Sequence, residues 1–320
     1  MNETHRVDWR FAVRVASRTW LPIWFVVLDV YVVAEYVRRG YLGIDAVLYR
    51  GAAQALIAGR DPWAIQSVGL SFAGPPPTLL AFVPLAFLPE RLTILVTIGA
   101  GLVAAIWVVR RLHLPLWWLA FPPMFESLVV GNPDSIVLAL LLVRGPAAGI
   151  AAALKIYAVV PLLLQRRWCA LLISTAVVLV SLPLMPAFLS DLDTVGRSLA
   201  TQSAGMSAWG TWLVVPTVLA LISLRRRGAS WLVVPGLWPL TQVHYATMSL
   251  PVVRRLPIAA ALIGLGTPLS AALAIIVGAV ESRLREAEDA EIGEPEVGDA
   301  GALRKRSSWL PWSSGLRRPR

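Results

Sequence analysis

Apolar segments long enough to cross a lipid bilayer are the feature that most constrains how this chain can fold. The first runs from about 19 to 37, and several later ones approach the roughly 20 residues that a helix needs to cross about 30 Å of hydrocarbon. Within a bilayer, helices and closed barrels are the spanning structures, because every backbone polar group must find a partner inside the protein. The sequence lacks strands of alternating polarity, so we expect an all-α, polytopic membrane helical bundle.

Composition and charge support a membrane protein over a nucleic-acid-binding one. Charged residues make up 15% of the chain and hydrophobic residues 57%, whereas soluble domains average roughly 25% charged residues. The formal net charge is +10, but most arginines stand in short clusters between apolar segments, where membrane topology places them. We therefore expect a membrane partner and no nucleic acid. One cysteine and three histidines make no convincing metal set, and we expect no cofactor.

Hydropathy and helix-breaking residues predict about ten transmembrane helices in the cell (plasma) membrane. Four arginines between Arg6 and Arg18 hold the N-terminus in the cytoplasm by the positive-inside rule, and the crossings return the C-terminus to the same side. Arg110 and Arg254 begin two basic pairs that fall on the outer face, so either one short segment is re-entrant or these pairs serve a purpose outside. The predicted spans are 19–37, 76–89, 92–109, 114–131, 134–143, 147–165, 169–189, 208–224, 229–250 and 256–279.

The segment 41–76 differs in character from the apolar spans around it. Apolar residues recur with helical spacing between Ile44 and Leu56, and polar residues are interleaved among them. This pattern predicts an amphipathic helix that lies on the outer membrane surface after the first span. We expect a transmembrane domain over 1–279 and, because the composition then becomes strongly charged, a disordered cytoplasmic tail over 280–320.

Asp45 is the first candidate for chemistry. It lies near the start of the predicted surface helix, with Tyr49 one turn later on the same face. A carboxylate at a membrane–water boundary is well placed to deprotonate a hydroxyl group of an acceptor. A structural interpretation is equally available, because an acidic residue in the first turn is favoured by the helix dipole.

Four further residues stand out against apolar or turn surroundings. Lys155 lies inside an apolar segment, where snorkelling to the membrane interface is the alternative to a direct role. His244 and Tyr245 come late in a predicted span, on the same side as Asp45; a lone histidine there is more often packed than catalytic. Arg60 could simply pair with its neighbour in a turn.

A broken helix is predicted between two proline-containing stretches. Glu126, Asn132 and Asp134 lie close to Pro122, Pro123, Gly131 and Pro133. Polar groups at such a break line either a cavity or a packed turn.

Two stretches resemble a known family through the order and spacing of their residues. The first contains Gly43-Ile-Asp45 to Tyr49, Ala58-Gly59-Arg60-Asp61-Pro62-Trp63, Pro75-Pro76 and Val83-Pro84-Leu85-Ala86; the second contains Pro122-Pro123, Gly131-Asn132, Leu154-Lys155-Ile-Tyr157 and Arg166-Arg167-Trp168. Together they resemble the polyprenyl-phosphate-mannose-dependent mannosyltransferases of glycosyltransferase family 87, in the GT-C superfamily. Actinobacterial members act on phosphatidylinositol mannosides and related lipoglycans. The resemblance covers about 15–170.

The resemblance implies an inverting transfer outside the cytoplasmic membrane, from a polyprenyl-phosphate sugar to a hydroxyl group of a lipid or glycolipid acceptor. It implies that Asp45 is the general base and that His244 helps to hold the donor phosphate. No metal is needed in this scheme. The expected substrate-binding residues are His244, Tyr245, Lys155, Arg60, Tyr49 and Asn132.

Two other function classes remain open at this stage. A membrane transporter or lipid flippase would carry paired charges along several spans and an internal repeat, neither of which is evident. A non-catalytic, shortened relative that acts as a partner subunit would share the resemblance without the activity. The position of Asp45 discriminates between them, since a catalytic carboxylate must face a cavity large enough for a sugar.

Overall fold

The protein is a helical bundle, which confirms the all-α prediction. The computed structural model describes residues 9–293, and within them it contains one two-stranded hairpin. Six short 3-10 helices connect the α-helices, at Val83–Phe87, Leu116–Ala120, Pro146–Gly149, Ile156–Ala158, Leu182–Leu184 and Val243–Ser249. The α-helices are α1 (Trp9–Arg39), α2 (Ile44–Ile57), α3 (Pro76–Phe82), α4 (Glu90–Arg111), α5 (Pro122–Val130), α6 (Asp134–Leu142), α7 (Ile150–Leu154), α8 (Val159–Leu164), α9 (Trp168–Val180), α10 (Met185–Ser190), α11 (Leu192–Gln202), α12 (Val214–Ser223), α13 (Arg225–Leu237), α14 (Leu250–Val253), α15 (Pro257–Gly264) and α16 (Ser270–Gly293).

Two of the described helices are long and apolar enough to cross a membrane singly. They are Thr19–Arg39 within α1, with a mean hydropathy of 1.6, and Glu90–Arg111, with a mean hydropathy of 2.4. The pair Trp168–Val180 and Leu182–Ser190 makes a third candidate, bent by 51°. Their outward faces are apolar, as Ile23 (65% exposed) and Val103 (70% exposed) illustrate, which suits contact with lipid.

The structure does not confirm the prediction of about ten spans. The hydropathy of a segment measures its apolar length, whereas several of these segments are divided into shorter helices next to prolines. Proline suits the first turn of a helix and disfavours helical geometry in the residue before it. Pro122 therefore begins α5, Pro146 begins a 3-10 helix, and α6 follows directly after Pro133.

The segment 41–76 contains the predicted helix and one element that was not predicted. α2 packs against α4 and against Val83–Phe87, and the Gln54 amide donates to Ala86 O at 3.0 Å. After α2, the strands β1 (Gln66–Ser67) and β2 (Leu70–Ser71) form an antiparallel hairpin. The prediction that this segment lies on the outer membrane surface stays a prediction.

The main apolar core joins the first helix to elements from later in the chain. Phe25 of α1 is fully buried, and its ring centroid lies 5.6 Å from that of Trp118 and 5.5 Å from that of Phe121. Trp24 Nε1 donates to Ala261 O of α15 at 3.3 Å. These contacts hold α1 against α15 and against the residues that precede α5.

Within the described residues, 9–283 form one compact unit and 284–293 belong to a second. α16 continues to Gly293, so the chain is still helical where the sequence predicts the charged tail to begin, at residue 280. Residues 294–320 and residues 1–8, which include Arg6, lie outside the described residues. The predicted disorder and cytoplasmic location of the tail stay predictions.

Candidate functional site

A break between α5 and α6 positions the central polar side chain of the site. α5 ends at Gly131, whose φ of 74° lies in the left-handed region that favours glycine. A Cβ added there would lie 3.0 Å from Ala46 Cβ of α2, so the missing side chain also permits close packing. Asn132 follows directly, and the turn directs its amide toward Asp45 on the first turn of α2.

The side chain of Asn132 connects three polar groups: Asp45, His244 and the backbone N–H of Asp134. Its Nδ2 donates to Asp45 Oδ2 at 2.6 Å and lies 3.1 Å from His244 Nε2. Because the amide donates, Nε2 accepts and the ring hydrogen resides on Nδ1 of His244. The amide oxygen of Asn132 accepts a hydrogen bond from the backbone N–H of Asp134 at 3.2 Å, which satisfies one of the free N–H groups at the start of α6. Asn132 therefore holds Asp45 in a fixed orientation.

Asp134, Tyr157 and Tyr245 make further contacts next to Asn132 and His244. The hydroxyl of Tyr157 donates to Asp134 Oδ1, and Asp134 Oδ2 lies 4.0 Å from His244 Nε2. The rings of Tyr157 and Tyr245 lie 4.5 Å apart between centroids. Asp134, Tyr157, Tyr245 and His244 are each at least nine-tenths buried. Water therefore does not screen their charges and dipoles as it would at the surface.

Lys155 supplies a cation to the same region. The residue interrupts the helical path between α7 and Ile156–Ala158 with an extended backbone. Its Nζ lies 5.9 Å from the ring centroid of Tyr49 and 5.5 Å from that of Tyr245, distances typical of cation–π contacts. Among the described side chains, no carboxylate oxygen lies within 4.0 Å of Nζ. This ammonium group can therefore pair with an anion that enters the site.

The electrostatic environment of Asp45 has opposing contributions. Burial raises the pKa of its carboxyl above the usual 3.8, while the charge of Lys155 and the hydrogen bond from Asn132 lower it. The net direction is upward. A raised pKa makes a carboxylate a stronger base, and the residue still ionises once the pH exceeds that value.

Two cavities meet at Asp45. The first, here called the Lys155 cavity, has a volume of ≈ 140 Å³ and is lined by Lys155, Tyr49 and Tyr245, among others. The second, the Glu126 cavity, has a volume of ≈ 250 Å³ and is lined by Glu126 and His244, among others. Three polar side chains line both cavities: Asp45, Gln202 and Gln242.

The two glutamines stand at the boundary between these cavities. Gln242 Nε2 donates to Gln202 Oε1 at 3.1 Å, which joins α11 to the segment before Val243–Ser249. The carboxylate of Asp45 can thus face one ligand in each cavity, which is the arrangement that a transfer between two substrates requires.

The structure brings together all but one of the predicted site residues. Tyr49, Asn132, Lys155 and Tyr245 line the Lys155 cavity with Asp45, whereas His244 lines the Glu126 cavity. Arg60 lies in the exposed turn after α2 and lines neither cavity.

Other residues at the site lack an equally clear sequence signal. Glu126 and Asp134 are recognisable as polar residues beside a helix break, but their partners are not. Tyr157 follows Lys155 closely within the motif that carries the resemblance. Gln202 and Gln242 lie in stretches with no distinguishing pattern. In the described part of the chain, no group of three or more His, Cys, Asp or Glu residues is arranged to hold a metal ion.

Comparison with known proteins gives one match. The family model described as Glycosyltransferase family 87 matches residues 72–279. The matched range extends well past residue 170 and contains Asn132, Lys155, His244 and Tyr245, but it begins after Asp45 and Tyr49. No curated protein and no solved structure matches the chain.

Proposed function

Because the chain belongs to glycosyltransferase family 87 and is therefore a membrane glycosyltransferase, we propose a specific reaction for it. It transfers a sugar, mannose, from a polyprenyl-phosphate donor to a hydroxyl group of a lipid or glycolipid acceptor. The observation that carries the proposal is the position of Asp45 at the meeting point of two cavities, in the electrostatic field of Lys155.

The Lys155 cavity is the proposed donor site. A sugar phosphodiester carries a negative charge, and the ammonium group of Lys155 has no carboxylate within ion-pair distance among the described residues. Charge-assisted hydrogen bonds of this kind are about twice as strong as neutral ones. Tyr49 and Tyr245 flank the cation and line the cavity beside it. The prenyl chain of the donor would remain in the bilayer.

Asp45 is the proposed general base. Its carboxylate takes the proton of the acceptor hydroxyl as the acceptor oxygen bonds to the anomeric carbon of the sugar. The bond from that carbon to the phosphate oxygen breaks, and its electron pair leaves with the polyprenyl phosphate. Lys155 stabilises the charge that develops on the phosphate. Because the acceptor attacks opposite the leaving group, one such displacement inverts the anomeric configuration.

Asn132 and His244 take supporting roles in this scheme. The hydrogen bond from Asn132 to Asp45 Oδ2 sets the orientation of the base, and a fixed geometry of the reacting groups contributes strongly to rate. His244 lies across Asn132 from Asp45, in the Glu126 cavity. We place it on the acceptor side, and the donor-phosphate contact falls to Lys155.

The proposed orientation follows the charge distribution of the sequence. Arginines near the N-terminus place both termini in the cytoplasm when the apolar segments make about ten crossings in the cell membrane. In this arrangement Asp45 lies on the extracytoplasmic side, at the level of the lipid headgroups. Donor and acceptor then both reach the site from the membrane.

The donor assignment is tested with the full-length protein in lipid nanodiscs containing the membrane lipids of its host. Radiolabelled polyprenyl-phosphate mannose should label an extractable lipid, with inversion at the anomeric carbon. Lys155→Met should raise the KM for this donor by about tenfold or more, because a hydrogen bond to a charged group contributes about 1.5–3 kcal/mol.

Arg91→Met is the matched control, because Arg91 is exposed at the start of α4 and lines neither cavity. It should leave the donor KM unchanged. Absence of transfer by the wild type, or an unchanged KM in Lys155→Met, would contradict the donor assignment.

A further inference from the structure

Glu126 is a buried carboxylate that the proposed transfer does not use. It lies on α5 and is only 6% exposed. The hydroxyl of Tyr36 donates a hydrogen bond to its Oε1, while Oε2 is buried and has no hydrogen-bond partner among the described residues. A buried carboxylate oxygen without a donor is energetically costly, and native structures seldom leave one unpaired without a functional reason.

This side chain lines the larger of the two cavities at Asp45. The Glu126 cavity, of ≈ 250 Å³, also contains Tyr36, Thr201 and His244 in its lining. Its polar groups converge on a space somewhat below the roughly 300 Å³ at which small-molecule sites usually begin. A single sugar or polyol ring is a ligand of that scale, and its hydroxyl groups are the donors that Glu126 Oε2 lacks.

We propose that Glu126 accepts a hydrogen bond from a non-reacting hydroxyl group of the acceptor. This inference rests on the proposed function, since it takes the Glu126 cavity as the acceptor side of the same site. Asp45 removes the proton from the reacting hydroxyl, and Glu126 holds a second hydroxyl of the same ring. An acceptor with one hydroxyl group would reach only Asp45.

Holding two hydroxyl groups determines which one reacts. A single contact leaves a ring free to rotate about it, whereas two contacts define its orientation and place one hydroxyl at the base. Glu126 is therefore a specificity-determining residue. The Tyr36 hydrogen bond orients the carboxylate by occupying Oε1, which leaves Oε2 for the ligand.

The test measures binding, so that it does not depend on transfer. Full-length protein carrying Asp45→Asn, in nanodiscs, is titrated with octyl α-mannopyranoside and its four monodeoxy analogues by isothermal calorimetry. With Glu126 intact, one deoxy analogue should bind about tenfold more weakly than the parent, because it lacks the hydroxyl that donates to Oε2.

Glu126→Gln, added to the same background, should remove that discrimination. With Tyr36 donating to the amide oxygen, the amide nitrogen occupies the place of Oε2, and it cannot accept a hydrogen bond from a hydroxyl. Glu126→Gln should bind octyl α-mannopyranoside about tenfold more weakly than the protein with Glu126 intact does. It should bind octyl α-mannopyranoside and the deoxy analogue that lacks the contacting hydroxyl equally well. Comparing two ligands with two proteins in this way, as in a double-mutant cycle, separates the loss of this contact from any general loss of affinity.

Two controls separate this contact from structural effects. Glu90→Gln changes an exposed glutamate that lines neither cavity and should keep the full discrimination. Tyr36→Phe removes the hydroxyl that orients Glu126 but leaves the carboxylate, so the same deoxy analogue should remain the weak one. Absence of binding with Glu126 intact, or equal discrimination in Glu126→Gln, overturns the inference. Failure of the proposed function would instead appear as absence of transfer in the nanodisc assay.

Discussion

Asn132 carries two side-chain N–H groups, and the structure provides an acceptor for each. Asp45 Oδ2 lies 2.6 Å from the amide nitrogen and His244 Nε2 lies 3.1 Å from it. One short side chain thus connects His244, in the lining of the Glu126 cavity, to the carboxylate that both cavities share. Its hydrogen bond favours the ionised form of Asp45, which is the form that can accept a proton.

Replacing Asn132 should change the pH dependence of transfer. Asn132→Ala removes a hydrogen bond that lowers the pKa of Asp45, so this pKa should rise further above its usual value. A base acts only when ionised, and activity is lost as the pH falls through its pKa. The acidic limb of the profile of kcat/KM against pH should therefore move to higher pH.

Gln54→Ala provides the comparison for this profile. The Gln54 amide donates to Ala86 O and lines neither cavity, so its removal should leave the acidic limb where it is in the wild type. An acidic limb that stays in place in Asn132→Ala, or moves to lower pH, would show that Asn132 does not stabilise the ionised base.

At the scale of elements, the break between α5 and α6 sets the geometry of the site. The left-handed backbone at Gly131 ends α5, and Pro133 precedes α6. Gly43 N, at the start of α2, donates to Val129 O at 2.9 Å, so the break is joined directly to the helix that carries Asp45. The position of Asp45 thus depends on the close contact between the start of α2 and the end of α5.

Gly131→Ala should destabilise the protein by roughly 1–2 kcal/mol. An L-residue in the left-handed region costs about that much, and the new Cβ would lie 3.0 Å from Ala46 Cβ. The free energy of unfolding is measured in mixed detergent micelles. Gly99→Ala, inside α4 with no atom within 4 Å of the added Cβ, should be neutral or stabilising. Equal effects of the two substitutions would contradict the structural role of the break.

The break between α5 and α6 can be predicted from the sequence only in part. The run Gly131-Asn132-Pro133-Asp134 is a recognisable helix break, because glycine and proline end helices for known steric reasons. The same residues cannot indicate which partners the exposed polar groups find. The partner of Asn132 in Val243–Ser249 is 112 residues away in the chain, and nothing in local spacing links them.

At the scale of the whole molecule, the apolar content of the sequence predicts a membrane helical bundle. It does not determine how many of the helices cross the membrane. In the described part of the chain, two helices are long and apolar enough to cross a membrane, and a bent pair makes a third candidate. Other apolar segments are divided into shorter helices, several of them next to prolines, and the assembly of these helices depends on tertiary packing. Gln202 and Gln242 join the site through that packing, which explains why no sequence pattern marks them.

In the proposed reaction, Asp45 is the base between a donor cavity and an acceptor cavity. Asp45→Asn keeps the shape of the side chain and removes its ability to take a proton. General base catalysis typically contributes about 10²–10⁴-fold, so kcat for transfer from polyprenyl-phosphate mannose should fall by about that factor. The donor KM should change little, because Lys155 remains in place.

The decisive measurement is this rate in nanodiscs for the wild type, Asp45→Asn and Asp193→Asn. Asp193 is exposed on α11 and lines neither cavity, so its replacement should leave kcat at the wild-type value. We predict loss of transfer in Asp45→Asn alone. Wild-type transfer by Asp45→Asn would contradict the assignment of the base.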